Sequence, residues 1–248
     1  MRRGTESFSY YEILDACKEP NCPVCRLGHA SANRHLISLI YDSVNDVSLR
    51  ATLRESLGYC QEHSWLLPNA GDSAPLGIAV IHRDLLNTIR KRLSESDFGK
   101  NRRSRLKSVV TGAMGLDEGS SGKSATAKHL PAESQCPACE RRDEAEKLAL
   151  KSVMDALEKQ DVDMKSALQG SDGLCLPHLR RGMETAHNQD GFDLLIKITE
   201  EQLSTLIHDL DEFIRKNDHR FRHEKISESE RASWKQAVQR IVGPINSL

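Results

Sequence analysis

The sequence predicts a mainly α-helical chain. Its expected architecture is two homologous helical repeats, each organised by a Cys3His metal site and packed as a pseudo-symmetric pair. Three observations lead there. The strings CPVC (Cys22–Cys25) and GYCQEH (Gly58–His63) recur as CPAC (Cys136–Cys139) and GLCLPH (Gly173–His178). The gap inside each pair is almost the same, 34 residues between Cys25 and Cys60 and 35 between Cys139 and Cys175. Between and after these strings the apolar residues follow the helical period, with no convincing β alternation longer than four residues.

In chain order, Leu36, Ile37, Ile40, Tyr41 and Val44 make the first apolar face. Asp46 has the chemistry of an N-cap for a second helix carrying Leu49, Leu53 and Leu57, and Gly58 is a stop signal. Gly77 then opens a third helix with Ile78, Ile81, Leu85, Ile89 and Leu93 on one side. Leu148, Ala149, Ser152, Val153, Ala156 and Leu157 answer the first face, and a short Val162–Leu168 segment stopping near Gly170 answers the second. Gly191, 114 residues after Gly77, opens the long stripe Leu195, Ile198, Leu203, Leu206, Leu210 and Phe213. Asn217–Lys225 reads as a charged turn region. Ser227 then caps a terminal helix with Trp234, Val238 and Ile241 on one face, ended by Gly243-Pro244. A small hairpin is expected at each C-P-x-C. The organisation that follows is a first repeat at 1–97, a linker at 98–131, a second repeat at 132–218 and a C-terminal helix at 219–248.

Composition narrows the function classes. The 248 residues are 38% hydrophobic and only 4% aromatic, so the core is lean and a metal would contribute stability to it. A formal charge of −1 excludes a globally basic nucleic-acid binder. Basic residues do collect in the Gly/Ser-rich 98–131 segment: Lys100, Arg102, Arg103, Arg105, Lys107, Lys123 and Lys128 against Asp117 and Glu118. A solvated connector is the expectation there. The N-terminus has no apolar signal-peptide core, and no apolar run approaches a membrane span, so a cytoplasmic protein is expected, with no membrane contact. In a reducing compartment seven cysteines read as metal ligands rather than disulfides.

The candidate metal ligands are Cys22, Cys25, Cys60 and His63 in one repeat, and Cys136, Cys139, Cys175 and His178 in the other. Three thiolates and an imidazole make a closed tetrahedral zinc site, and two zinc ions per chain are expected. Such a site carries a net charge of −1, which Arg26, Arg141, Arg142, Arg180 and Arg181 are placed to offset. An iron–sulfur cluster is the alternative, since Cys17-x4-Cys22-x2-Cys25 has a ferredoxin-like spacing; Pro131 stands where Cys17 would recur, and Cys17 is expected to be a small buried residue. Four ligands per ion leave no open position for catalysis. Glu62, beside His63, has no counterpart beside His178, and His82, His219 and His223 are read as ordinary helix or surface residues. No P-loop, dinucleotide fingerprint or Ser/His/Asp signature appears, so the sequence points away from an enzyme.

The order CPVCRL, a helix, S-x-GYCxxHSWLL, G-x-A-x-x-x-x-x-LL, CPAC and GLCLPHL resembles an uncharacterised bacterial and archaeal family catalogued only as a domain of unknown function. The resemblance spans roughly Tyr10 to Phe213. It implies an intracellular, helical, metal-binding protein and brings no reaction or substrate. The function expected is therefore a non-enzymatic zinc-binding scaffold or adaptor with a protein partner. One alternative is a thiolate-based redox or iron–sulfur sensor; another is a nucleic-acid binder acting through the basic linker.

Overall fold

A computed structural model describes residues 3–71, 74–95 and 136–246. The expected linker at 98–131 lies outside the described residues. Among the described residues every regular element is helical: α1 (Arg3–Ala16), α2 (Pro23–Tyr41), α3 (Val47–Ser56), α4 (Gln61–Leu66), α5 (Ala74–Glu95), α6 (Pro137–Glu158), α7 (Val162–Gly170), α8 (Leu176–Thr185), α9 (Gln189–Lys216) and α10 (Glu228–Val242). Short 3-10 turns follow α4 at Leu67–Asn69 and α9 at His219–Phe221. The helix boundaries have local causes. Asp46 and Asp161 accept from the backbone N–H of Leu49 and Met164, three residues on, and so cap α3 and α7. Ser227 and Glu230 form a reciprocal capping box at the start of α10. Leu57, rather than Gly58, takes the left-handed position that ends α3, and both residues' N–H groups return to the Leu53 carbonyl. Helix α1 was not foreseen from the apolar pattern; it buries Ile13 and Ala16, and the Tyr10 hydroxyl donates to Asp161 at 2.8 Å.

The chain divides into two compact units. One is built from Met1–Ser31 and Arg141–Ser247, the other from Ala32–Glu140 with Leu248. These cut across the expected 1–97 and 132–218 repeats, because α2 and α6 each start in one unit and end in the other.

The first unit has a core of Val153, Met154, Leu157, Met164, Leu168, Leu174, Leu195 and Ile198, closed by Ile13 and Val24. The second packs Leu36, Leu39 and Ile40 of α2 against Leu53 of α3, Leu67, and Ile81 and Leu85 of α5. Asp84 of α5 meets Arg54 at 2.9 Å and Arg50 at 3.3 Å, pinning α3 to α5. Each core is large enough for its fully buried Leu and Met side chains to contribute roughly 1.5–3 kcal/mol apiece.

Helix α10 turns its apolar stripe outward. The apolar stripe Trp234, Val238 and Ile241 is 50%, 55% and 60% exposed, while Glu230, Ser233 and Arg240 are buried. The buried polar groups are paired, which is what makes this face burial tolerable. Glu230 meets Lys216 of α9 at 2.6 Å, and Arg240 donates to the Asp172 carbonyl and to Gln202 Oε1.

Candidate metal centres

All four motif strings sit at helix starts. The C-P-x-C strings form no hairpin. They open α2 and α6, with Pro23 and Pro137 as first helical residues, where a missing N–H costs nothing. The Cys22 and Cys136 carbonyls accept the first helical bonds, from Arg26 and Glu140, each at 3.1 Å. Cys25 and Cys139 follow one turn later. In the G-x-C-x-x-H strings Gly58 and Gly173 have φ of 102° and 74°, a region that favours glycine, and so turn the chain into the next helix. Cys60 and Cys175 are the N-cap residues of α4 and α8 but make no side-chain cap bond; their sulfurs point elsewhere. His63 and His178 lie three residues on, on the same side of the first turn.

Eight side chains meet in two quartets. Site A is Cys22, Cys25, Cys175 and His178, all buried; site B is Cys60, His63, Cys136 and Cys139, of which Cys60 and Cys139 are partly exposed. Within each, the four ligand atoms all lie within 4.8 Å of one another, so each group could hold a metal ion. In site A the Cys25 and Cys175 sulfurs are 3.6 Å apart, and His178 Nδ1 is 3.2 Å from both and 3.5 Å from Cys22 Sγ. In site B the Cys60 and Cys139 sulfurs are 3.7 Å apart, and His63 Nδ1 is 3.2, 3.4 and 3.5 Å from Cys60, Cys139 and Cys136.

The expected grouping, one quartet per sequence half, is therefore corrected: each C-P-x-C pairs with the G-x-C-x-x-H of the other half. Helix lengths supply the reason. The 19 residues of α2 span about 28 Å and the 10 of α3 about 15 Å. The returning helix is about half as long as the outgoing one, so the helix pair by itself does not carry Cys60 back to the foot of α2. Likewise the 22 residues of α6 span about 33 Å against about 14 Å for the nine of α7. In both halves the two arms are unequal.

Site A has a built surround. Glu146, buried on α6, accepts from the outward ring nitrogen of His178, with Nε2 to Oε2 at 3.1 Å. Arg181 reaches the same oxygen at 3.0 Å and Arg142 stands 3.9 Å from the other. Burial pushes the Glu146 carboxyl up, but His178, Arg142 and Arg181 outweigh it and hold the group below the usual carboxylate range. Burial opposes charge on His178; the Cys175 and Cys22 sulfurs and Glu146 overcome it and push the ring up to about 11. Orienting a ligand histidine through a carboxylate is a recurrent device of metal sites.

The C-terminal segment closes site A from another side. A Cβ on Gly243 would lie 3.3 Å from Cys25 Sγ and 3.7 Å from Cys175 Sγ, and its φ is 84°. Arg240, one turn earlier, is buried; desolvation lowers its pKa, and Cys22 and Cys175 act against that. Beside it a cleft of about 200 Å³ is lined by Ser171, Asp172, Gln202 and Arg240 and reaches Cys22 and Cys175. In site B the Tyr59 hydroxyl lies 2.9 Å from His35 Nε2.

Glu146, Arg240 and Gly243 were not singled out from sequence for these roles, since their spacing to the ligands carries no pattern. Of the arginines proposed to offset charge, Arg142 and Arg181 gather on Glu146, whereas Arg26 donates to the Pro20 carbonyl and Arg141 pairs with Glu144. Cys17 is buried, and burial pushes its thiol up to about 11. Glu62 is exposed on α4. His82 Nδ1 lies 2.9 Å from the Ile78 carbonyl and His219 pairs with Asp218; neither they nor His223 join a quartet. No described helix is long and apolar enough to cross a membrane.

The chain is 22% identical over 231 residues to an uncharacterized 23.9 kDa protein in the xynA 3′ region of Caldicellulosiruptor sp. (strain Rt8B.4), covering 93% of this chain and 99% of that protein. No solved structure matches it. A family of unknown function, DUF6062, matches residues 6–247, which take in both quartets, and the chain belongs to that family.

Proposed function

We propose that the protein is a non-enzymatic helical scaffold held together by two structural zinc ions, one in each quartet, and that it presents its helical surface to a protein partner in the cytoplasm. The observation that carries the zinc reading is the size of the quartets. Zinc sits about 2.3 Å from thiolate sulfur and about 2.0–2.1 Å from imidazole nitrogen, so a tetrahedron has edges of about 3.8 Å between sulfurs and about 3.5 Å from sulfur to nitrogen. The S–S distances of 3.6 and 3.7 Å and S–N distances of 3.2–3.5 Å are close to those edges. Such spacing suits a single ion; a cluster of several irons and sulfides would need its ligands further apart.

Cys22, Cys25, Cys175 and His178 would hold one ion, and Cys60, His63, Cys136 and Cys139 the other. When bound, zinc supplies a cross-link and no reaction, because four protein ligands leave no position for substrate. The scaffold reading rests on that closure and on the scale of structural zinc energies, roughly 10–16 kcal/mol in zinc-finger peptides, set against a lean core. The matching order of strings and helices also supports an origin by duplication. Elemental analysis of the purified protein tests the metal: two zinc ions per chain are expected, and iron, or one ion, would overturn the reading.

A further inference from the structure

The two quartets share their ligand set but not their access to solvent. In site A, Cys22, Cys25, Cys175 and His178 are 4%, 6%, 2% and 4% exposed. Gly243 lies against two of its sulfurs and Arg240 is buried beside it. Although the neighbouring cleft reaches Cys22 and Cys175, it leaves those residues with only the small exposures just given. In site B, Cys136 and His63 are as buried, at 3% and 0%, but Cys60 and Cys139 are partly exposed. Those two sulfurs are also neighbours, 3.7 Å apart.

Resting on the zinc reading, we propose that site B is an oxidant-labile metal site, in which hydrogen peroxide couples Cys60 to Cys139 and releases the ion, while site A stays closed. Access and thiolate character together decide which cysteines oxidise, and metal-bound sulfurs retain thiolate character. The thiolate of one exposed cysteine attacks a peroxide oxygen; the O–O bond breaks, hydroxide leaves and a sulfenic acid forms. The second thiolate attacks that sulfur and displaces a second hydroxide. Two thiolates have then lost two electrons, and one peroxide with two protons has become two waters. The disulfide takes two of the four ligands, so the ion departs.

The consequence is local. Cys60 is the N-cap of α4 and Cys139 lies in the first turn of α6, so loss of this ion unfastens α4 from α6 within its own unit. Cys22, Cys25, Cys175 and His178 belong to the other unit and keep theirs.

The test uses the full-length protein. Its metal content is measured first, and a result other than two zinc ions rejects the zinc reading before any oxidant is added. The two-zinc protein is then exposed to hydrogen peroxide, zinc release is followed with a colorimetric chelator, and the remaining thiols are alkylated and mapped by mass spectrometry. One equivalent of zinc should leave about tenfold or more faster than the second, because access governs oxidation. The disulfide formed in that phase should join Cys60 to Cys139, with Cys22, Cys25 and Cys175 still alkylatable after denaturation. Release of both ions at one rate, oxidation of Cys22 or Cys175 first through the cleft, or no release at all would overturn the proposal.

Discussion

Glu146 and Gly243 show how single side chains, or the lack of one, complete a site whose ligands come from elsewhere. Glu146 holds the outward nitrogen of His178 while Arg142 and Arg181 hold Glu146. Carboxylates in this position commonly contribute 10- to 100-fold to metal affinity. Glu146→Gln should therefore weaken the ion at site A by about 10- to 100-fold and leave site B unchanged, measured by chelator competition with the two sites resolved by cysteine protection. Equal weakening of both would mean that the carboxylate acts through the whole fold. Gly243 combines a φ of 84° and ψ of 164° with sulfur close to where a Cβ would stand. Gly243→Ala should destabilise the chain by about 1–3 kcal/mol from the backbone alone, read as a lowered denaturation midpoint. It should also speed alkylation of Cys25 and Cys175. An unchanged midpoint would show that the segment after α10 is not held against the metal centre.

Helix α10 depends on polar contacts that most amphipathic helices do without. Its docking against α9 rests on Glu230, which also completes the capping box through the Ser227 N–H at 2.9 Å. Lys216 and the Ser227 N–H hold the Glu230 carboxyl below its ordinary value of 4.5, outweighing burial. A depressed folded-state pKa gives a contribution fully present above the unfolded value and lost as pH falls through the folded one. Hydrogen exchange in α10 should thus be faster in Glu230→Gln than in the native chain at pH 7, and the gap should narrow below about pH 4.5 as the native carboxyl itself protonates. A gap that persists at low pH would assign the effect to packing. The same arrangement leaves Trp234, Val238 and Ile241 in solvent: the polar face has partners within the unit, so the apolar stripe turns outward.

For the whole molecule, the exchanged pairing makes each metal centre draw on both sides of residues 96–135. The two cores do the same, since Ile13 and Val24 pack with residues after 141, and Ala138 packs with residues before 96. A chain cleaved at a protease site placed between residues 114 and 124 should co-elute as one complex with both metals retained. Two separable fragments, each with its own metal, would restore the one-quartet-per-half arrangement. The same logic assigns ligand substitutions. Cys175→Ser should raise hydrogen exchange in Met1–Ser31 and Arg141–Ser247, and Cys60→Ser in Ala32–Glu140, each by loss of one of four ligands. Loosening confined to the mutated half of the sequence would contradict the exchanged quartets.

Local chemistry made much of this legible in the sequence. Helix caps at Asp46, Ser227 and Gly243 depend on neighbours within four residues, and so do the turns at Gly58 and Gly173; the eight candidate ligands stand out because C-P-x-C and G-x-C-x-x-H each place two of them one helical turn apart. The pairing of the strings was decided only by tertiary structure. It depends on how far a rigid α2 of about 28 Å outreaches an α3 of about 15 Å, a difference set by where the helices end rather than by the ligands themselves. The orientation of α10 was likewise undetermined by periodicity, because an apolar stripe marks a preferred buried face only when no partnered polar face competes with it. Lys216, Asp172 and Gln202, 14, 68 and 38 residues from the groups they pair with, supplied that competition through contacts a local pattern does not contain.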